Sequence, residues 1–143
     1  MDGEIGAFVE AFPRFLLWTT SAGVMLLVAS TIYILLTPWK ELALVKGGNA
    51  SAGLALAGAI AGLAIPIAST LASSVSLLDL LIWGVIALLL QLIVYRLVDV
   101  VLRDIPQRIE QDQAGAAIVL IAAKLSSAII LAAGLWDPAL QRF

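Results

Sequence analysis

The sequence contains no cysteine and no histidine. Disulfides, thiolate or imidazole metal sites, and Ser-His or Cys-His nucleophile chemistry within one chain are therefore excluded. Charged residues are also scarce, at 13% of the chain, and no basic patch suited to nucleic acid is present. We accordingly expect no enzymatic activity, no metal and no cofactor.

Hydrophobic residues, by contrast, make up 62% of the 143 residues, far above the proportion in soluble domains. Each of four apolar runs reaches the roughly 20 residues that a membrane-spanning helix needs. They cover about 15–36, 50–71, 79–101 and 114–135. The sequence thus predicts an all-α polytopic membrane protein with four transmembrane helices, whose lipid-facing surfaces contact the membrane lipids.

We divide this single membrane domain, 1–143, into an outer arm (1–14), two helix pairs (15–71 and 79–135) and an outer tail (136–143). The arm is either an interfacial helix or a frayed terminus. Most basic side chains lie in or beside the two polar loops, after spans one and three: Lys40, Lys46, Arg96, Arg103 and Arg108. The positive-inside rule therefore predicts cytoplasmic polar loops and an N-out/C-out orientation.

The second span is rich in glycine and alanine, and Asn49 is a candidate N-cap before it. Gly58, Gly62 and Pro66 follow at steps of four, so they share one helix face that another helix can approach closely. Span four carries a comparable seam of small residues, formed by Ala116, Ala123, Ser127 and Gly134. We expect one of the two seams to be an intermolecular contact, which predicts a homo-oligomer.

The two polar loops each predict a short helix. In 40–46, Leu42, Ala43 and Val45 would oppose Lys40, Glu41 and Lys46, and 103–113 resembles a surface helix. Asp99 lies three residues after one arginine and four before another, a spacing that permits ion pairs on one helix face. The cluster of Arg96, Asp99 and Arg103 is either a topology anchor held by ion pairs or a functional gate. The segment 103–113, with Arg108, is either a docking surface for a cytoplasmic partner or an ordinary solvated loop, and Lys40 and Lys46 of the first loop would belong to the same docking surface.

Shifting the chain by 64 positions superimposes two units of the same order: a span, a polar loop, an amide residue and an alanine-rich span. This pattern predicts two parallel two-helix repeats. The stretch 48–52 (GNASA), Gly62 with Pro66, 76–79 (SLLD) with Trp83, and Gln91 resemble the YjfL family of small bacterial inner-membrane proteins of unknown function. In the second half the Gly-Asn pair is replaced by Asp-Gln, so the halves are unequal.

The resemblance to the YjfL family covers roughly 15–135. It implies a multi-pass protein of the bacterial cytoplasmic membrane. It also suggests a cytoplasmic partner of the PspA-like or flotillin-like kind, since relatives are often encoded beside membrane-stress and membrane-remodelling proteins. It supplies no catalytic residues.

Lys124 lies about ten residues, or roughly 15 Å, from the start of its span. Exposure of this charge to lipid at mid-membrane would cost about 2.5–3.5 kcal/mol, so the side chain should face the bundle. A count of depth places Gln91 and the Gly58–Gly62 backbone at its level, and no carboxylate. Three interpretations stay open: a packed neutral lysine, a lysine lining a hydrated path, or a lysine paired at an oligomer interface. On this count Lys124→Met should be tolerated.

Two functions remain. The first is a structural or adaptor subunit that oligomerises and docks a cytoplasmic partner. The second is an oligomeric channel or transporter in which Lys124 lines the path.

Overall fold

The computed structural model describes residues 2–37 and 40–136, which form six helices and no strand. Four of the helices are long and apolar enough to cross a membrane, and this confirms the predicted all-α, four-span architecture. The elements are α1 (Asp2–Leu36), α2 (Glu41–Lys46), α3 (Ala50–Ser73), α4 (Leu77–Val101), α5 (Ile105–Glu110) and α6 (Ala114–Leu135). The last three spans lie within two residues of their predicted bounds.

The first span differs from its prediction. α1 is one unbroken helix that begins at Asp2 and includes Pro13, so residues 2–14 extend the span rather than form a separate helix. Its 35 residues exceed the length that a bilayer core requires. Phe8, Phe12 and Phe15 stack in sequence along its exposed surface. The predicted outer tail, apart from Trp136, lies outside the described residues.

α2 and α5 lie at the same end of the bundle, where α1 and α4 end and where α3 and α6 begin. We call this the short-helix end. α3 is the central element, because it contacts every other helix. This agrees with its small side chains, which let neighbours approach on several sides.

The Gly58–Gly62 face of α3 is filled from within the same chain. A side chain at Gly58 would meet Ile121 of α6, and one at Gly62 would overlap the hydroxyl of Tyr95 of α4. Pro66 is also buried. This face is therefore an internal packing surface. In the second seam, Ala123 and Ser127 are half-buried, whereas Gly134 is exposed.

The elements repeat at the shift of 64 residues. α2 begins at Glu41 and α5 at Ile105, and the long helices that follow begin at Ala50 and Ala114. Within the described ranges, the two residues with positive φ also have this spacing: Gly48 at 91° and Asp112 at 57°. The duplication itself stays a prediction, which this regularity supports.

The two halves join at the start of α3. The Asn49 side chain caps this helix by accepting from the Ala52 amide at 2.8 Å, as predicted, and its own amide donates to the Ile109 carbonyl at 2.8 Å. Asp112 accepts from the Ser51 backbone amide at 3.0 Å, and this hydrogen bond holds the pKa of that carboxyl below its usual value. Gln113, the counterpart of Asn49, makes no side-chain cap. At the positions of Gly48 and Asn49, the second half thus has a residue that binds the start of α3 and a residue that does not cap its own helix.

Candidate functional site: a buried ionic cluster

Four polar side chains from four helices meet inside the bundle near the short-helix end. They are Tyr33 of α1, Glu41 of α2, Asp99 of α4 and Lys124 of α6, which we call the ionic cluster. Glu41 is 2% exposed and Lys124 1%, while the Asp99 side chain is 12% exposed. Charged groups with so little access to water are rare, and inside a membrane bundle they indicate a functional site.

The ammonium of Lys124 has several partners. Its Nζ atom donates to the Tyr33 hydroxyl at 3.1 Å and lies 3.5 Å from Asp99 Oδ1. It also lies 4.8 Å from the ring centre of Tyr33 and 4.7 Å from that of Tyr95, over the ring faces. An ion pair, a hydrogen bond and two cation–π contacts together compensate the cost of burying the charge.

The expectation that no carboxylate reaches Lys124 is wrong. Gln91 donates instead to the Lys124 carbonyl at 3.3 Å and to Ser127 Oγ at 3.4 Å, so it contacts the backbone and not the ammonium. Helical side chains lean toward the N-terminus of their own helix. Because α6 and α4 run in opposite directions, Lys124 leans toward the short-helix end and Asp99 leans away from it. The two side chains therefore meet, although a count of residues along the helices places their Cα atoms at different depths.

Tyr95 forms the wall between the ionic cluster and α3. Its hydroxyl donates to the Ala59 carbonyl at 2.7 Å, and its ring packs edge-on against Tyr33 at 5.7 Å. The absence of a side chain at Gly62 makes room for that hydroxyl. The ring that contacts Lys124 is therefore held in place by α3.

Glu41 is the residue that sequence reasoning missed. Its Oε1 atom accepts from the Tyr33 hydroxyl at 3.3 Å, and its Oε2 atom is buried without a hydrogen-bond partner among the described residues. Burial raises the pKa of this carboxyl from 4.5 to about 7. The predicted faces of α2 are thus wrong at Glu41, which is buried, and at Leu42 and Ala43, which are exposed. Lys40 and Lys46 are exposed and Val45 is half-buried, as predicted.

A signal for Glu41 existed in the repeat. The shift of 64 residues pairs Glu41 with Ile105, which is buried at the start of α5. A carboxylate at a position that is apolar in the other half points to a special role. The amphipathic pattern predicted the wrong position for Glu41, because the orientation of a six-residue helix between two long ones is set by its neighbours.

The predicted ion pairs of Asp99 with two arginines are not formed. Arg96 donates to the Leu36 carbonyl at 3.4 Å and Arg103 to the Val100 carbonyl at 3.2 Å, while Asp99 turns inward. Arg108 lies 3.9 Å from Asp104 in an exposed pair. The loop arginines are therefore surface groups, as are Lys40 and Lys46.

In the part of the chain that the structure describes, no group of three or more acidic, histidine or cysteine side chains could hold a metal ion. Beside Tyr33, Tyr95 and Asp99 there is a cavity of about 10 Å³, which is room for one water molecule. The chemistry that these side chains offer is the binding and exchange of protons.

Four apolar spans, closed at one end by two short helices, define a polytopic membrane protein. The chain belongs to the family described as Domain of Unknown Function (DUF350), which matches residues 7–135. It is similar to the UPF0719 inner membrane protein YjfL of Escherichia coli strain K12, with 33% identity over 109 residues, 76% of this chain and 83% of the relative. The same values hold for YjfL of Escherichia coli O157:H7. No solved structure matches the chain significantly.

The resemblance to the YjfL family is thereby confirmed. The protein is a small multi-pass protein of the bacterial inner membrane.

Proposed function

We propose that this protein is a structural and adaptor subunit of the inner membrane, which oligomerises and presents its short-helix end to a cytoplasmic protein. The supporting observation is that α5 is anchored to the bundle while its other side stays free. Ile105 and Ile109 are buried, and the second of them is fully enclosed. The charged residues around them are exposed: Arg103, Asp104, Arg108 and Glu110.

A helix held in this way offers a charged surface in a fixed orientation, which favours specific docking over general solvation. Exposed Lys40 and Lys46 of the α2 segment add positive charge at the same end. The predicted N-out/C-out orientation puts this surface in the cytoplasm. The family resemblance favours a PspA-like or flotillin-like protein as the partner.

The docking proposal is tested by crosslinking in cells followed by purification of the tagged protein. Reversing two charges, with Arg103→Glu and Arg108→Glu, should remove the main crosslinked partner. Arg14→Glu is the control, because this exposed arginine lies in the part of α1 that is distant from the short-helix end. An unchanged partner list in the double variant contradicts docking through α5.

For the oligomer, we propose a contact through the exposed end of the second seam, since the Gly58–Gly62 face is used internally. Among the described residues, a Cβ atom at Gly134 would meet no atom within 4 Å apart from the adjacent backbone of its own helix. Gly134→Leu should therefore fold normally and change the particle mass in detergent. Gly23→Leu on α1, at an equally open position, is the matched control. Unchanged mass for Gly134→Leu contradicts this contact.

A channel or transporter is the second candidate, and the buried ionic cluster is the observation that favours it. Against it, the Lys124 ammonium is enclosed by partners in its own bundle, and the adjoining cavity holds about one water. Ion flux through purified protein in liposomes, compared with Lys124→Met, distinguishes the two functions. Absence of flux in the wild-type protein removes this candidate.

A further inference from the structure

The ionic cluster lacks one positive charge. It contains two carboxylates, Glu41 and Asp99, and one ammonium, Lys124, so full ionisation leaves a net charge of −1. The other titratable groups facing it are the phenols of Tyr33 and Tyr95, which are neutral. α3 also packs against α2 but has no ionisable side chain. The two lysines of the α2 segment, Lys40 and Lys46, are exposed.

The two carboxylates differ in how well they are compensated. Asp99 has the Lys124 ammonium at 3.5 Å. Glu41 is attracted by the same ammonium but does not pair with it directly, and its hydrogen-bond partner is the Tyr33 hydroxyl, at 3.3 Å on one oxygen. Its other oxygen is buried without a hydrogen-bond partner in the described structure. An ionised carboxylate in that position carries a large desolvation cost, which a proton removes.

We infer that Glu41 is a proton-binding site whose protonated form holds α2 against the bundle and whose ionised form releases it. The inference is independent of the proposed docking function. A metal cation is a poor substitute for the proton, because the described residues offer no set of three or more acidic side chains.

Protons have a route to this carboxyl from the short-helix end. A groove of about 370 Å³ runs along α2, and its wall includes Thr37, Lys40, Glu41 and Lys46. α2 can move without disturbing the spans, since it has only six residues and is followed by Gly47 and Gly48. Gly48 has a φ of 91°, which glycine adopts without strain.

The direction of the pH dependence follows from linkage. The carboxyl pKa is about 7 when Glu41 is buried and 4.5 when it is free. Packing of α2 against the bundle therefore takes up a proton when the pH lies between 4.5 and about 7. The packed state is most favoured below pH 4.5, and it weakens as the pH rises through about 7. The packing of α2 against the bundle thus changes within the range of cytoplasmic pH.

The first test observes the proton directly, by infrared difference spectroscopy of the full chain in lipid nanodiscs. The carbonyl stretch of a protonated carboxylic acid should disappear with a midpoint near pH 7. The band should be absent in Glu41→Gln and retained in Glu110→Gln, which changes an exposed glutamate of α5. Absence of the band in the wild type, or its persistence in Glu41→Gln, overturns the inference.

A second variant guards against misfolding of Glu41→Gln. Tyr33→Phe removes the hydroxyl that donates to Glu41 and so removes a contact that favours the ionised form. The infrared midpoint should move to higher pH. An unmoved midpoint means that another group titrates, and the assignment to Glu41 fails.

The release of α2 is tested by thiol labelling, because the chain has no cysteine of its own. Val45→Cys reports on a half-buried position of α2, and Ala43→Cys on an exposed position of the same helix. Their ratio of labelling rates corrects for thiol ionisation. It should rise several-fold between about pH 5.5 and pH 8.5 and stay flat in the Glu41→Gln background. A flat ratio in the chain with Glu41 intact overturns release.

Discussion

Substitution of Gly62 by alanine is the sharpest test of how α3 holds the ionic cluster together. The new Cβ atom would overlap the hydroxyl oxygen of Tyr95, and it would lie 3.2 Å from the ring carbon that carries this oxygen. The Lys124 carbonyl oxygen lies 3.5 Å away and limits movement of α3 itself. Tyr95 is 1% exposed, so its ring has no free space into which to withdraw.

The magnitude follows from the contacts that must break. Displacing the ring removes the 2.7 Å hydrogen bond from Tyr95 to the Ala59 carbonyl. A buried hydroxyl without a partner costs about 1–3 kcal/mol, and overpacking costs about 1–3 kcal/mol more. The better helix propensity of alanine offsets about 1 kcal/mol. We expect Gly62→Ala to lower the free energy of unfolding by about 3 kcal/mol.

The assay is equilibrium unfolding by sodium dodecyl sulfate in mixed micelles. Gly53→Ala is the matched control, because it lies in the same helix and its nearest neighbour would be 4.0 Å from the new Cβ atom. This variant should be as stable as the wild type or slightly more stable. Particle mass should stay unchanged in both, since the Gly62 face is filled internally.

A double variant identifies the clash. Tyr95→Phe removes the hydroxyl oxygen that the new methyl group would overlap, so it should restore about 2 kcal/mol in the Gly62→Ala background. Destabilisation that is the same with phenylalanine at position 95 would refute the reasoning. So would a stable Gly62→Ala variant of altered mass, which would assign this face to an oligomer.

Three further predictions follow from the same packing. Lys124→Met removes the ion-pair partner of Asp99 and should destabilise the fold by about 3 kcal/mol, contrary to the tolerance expected from the sequence. Adding Asp99→Asn should recover most of that loss in the same unfolding assay. Asn49→Ala should cost at least about 1 kcal/mol because it removes a helix cap, whereas Gln113→Ala should be nearly neutral by thermal unfolding. Gly84→Ala should lower the free energy of unfolding in sodium dodecyl sulfate by less than Gly62→Ala, because its new methyl group meets only the flexible end of a methionine side chain.

The sequence by itself determined which segments form the spans and where most of them begin. Hydrophobic length is a property of consecutive residues, so three of the four spans are predicted within two residues of their observed bounds. The cap at Asn49 is equally local, since it requires only a side-chain oxygen next to the free amides of the first turn. The start of α1 was missed because hydrophobic length separates 1–14 from the span, whereas the helix continues through Pro13 to Asp2 and carries acidic residues in its first turn.

Part of the candidate site was also predictable. The cost of placing a charge in lipid required Lys124 to face the bundle, and the structure buries it. The depth count also placed Gln91 at the right level, although its contact is with the Lys124 backbone. Both conclusions depend only on position along a helix.

Only the tertiary structure decided which charged groups meet. The pair of Asp99 with Lys124 depends on the opposite directions of two helices and on the lean of each side chain, which a count along the chain does not contain. The burial of Glu41 depends on how the ends of α1 and α3 orient a helix of six residues. So short a helix has too little apolar surface to set its own rotation, and its neighbours therefore turn a carboxylate inward.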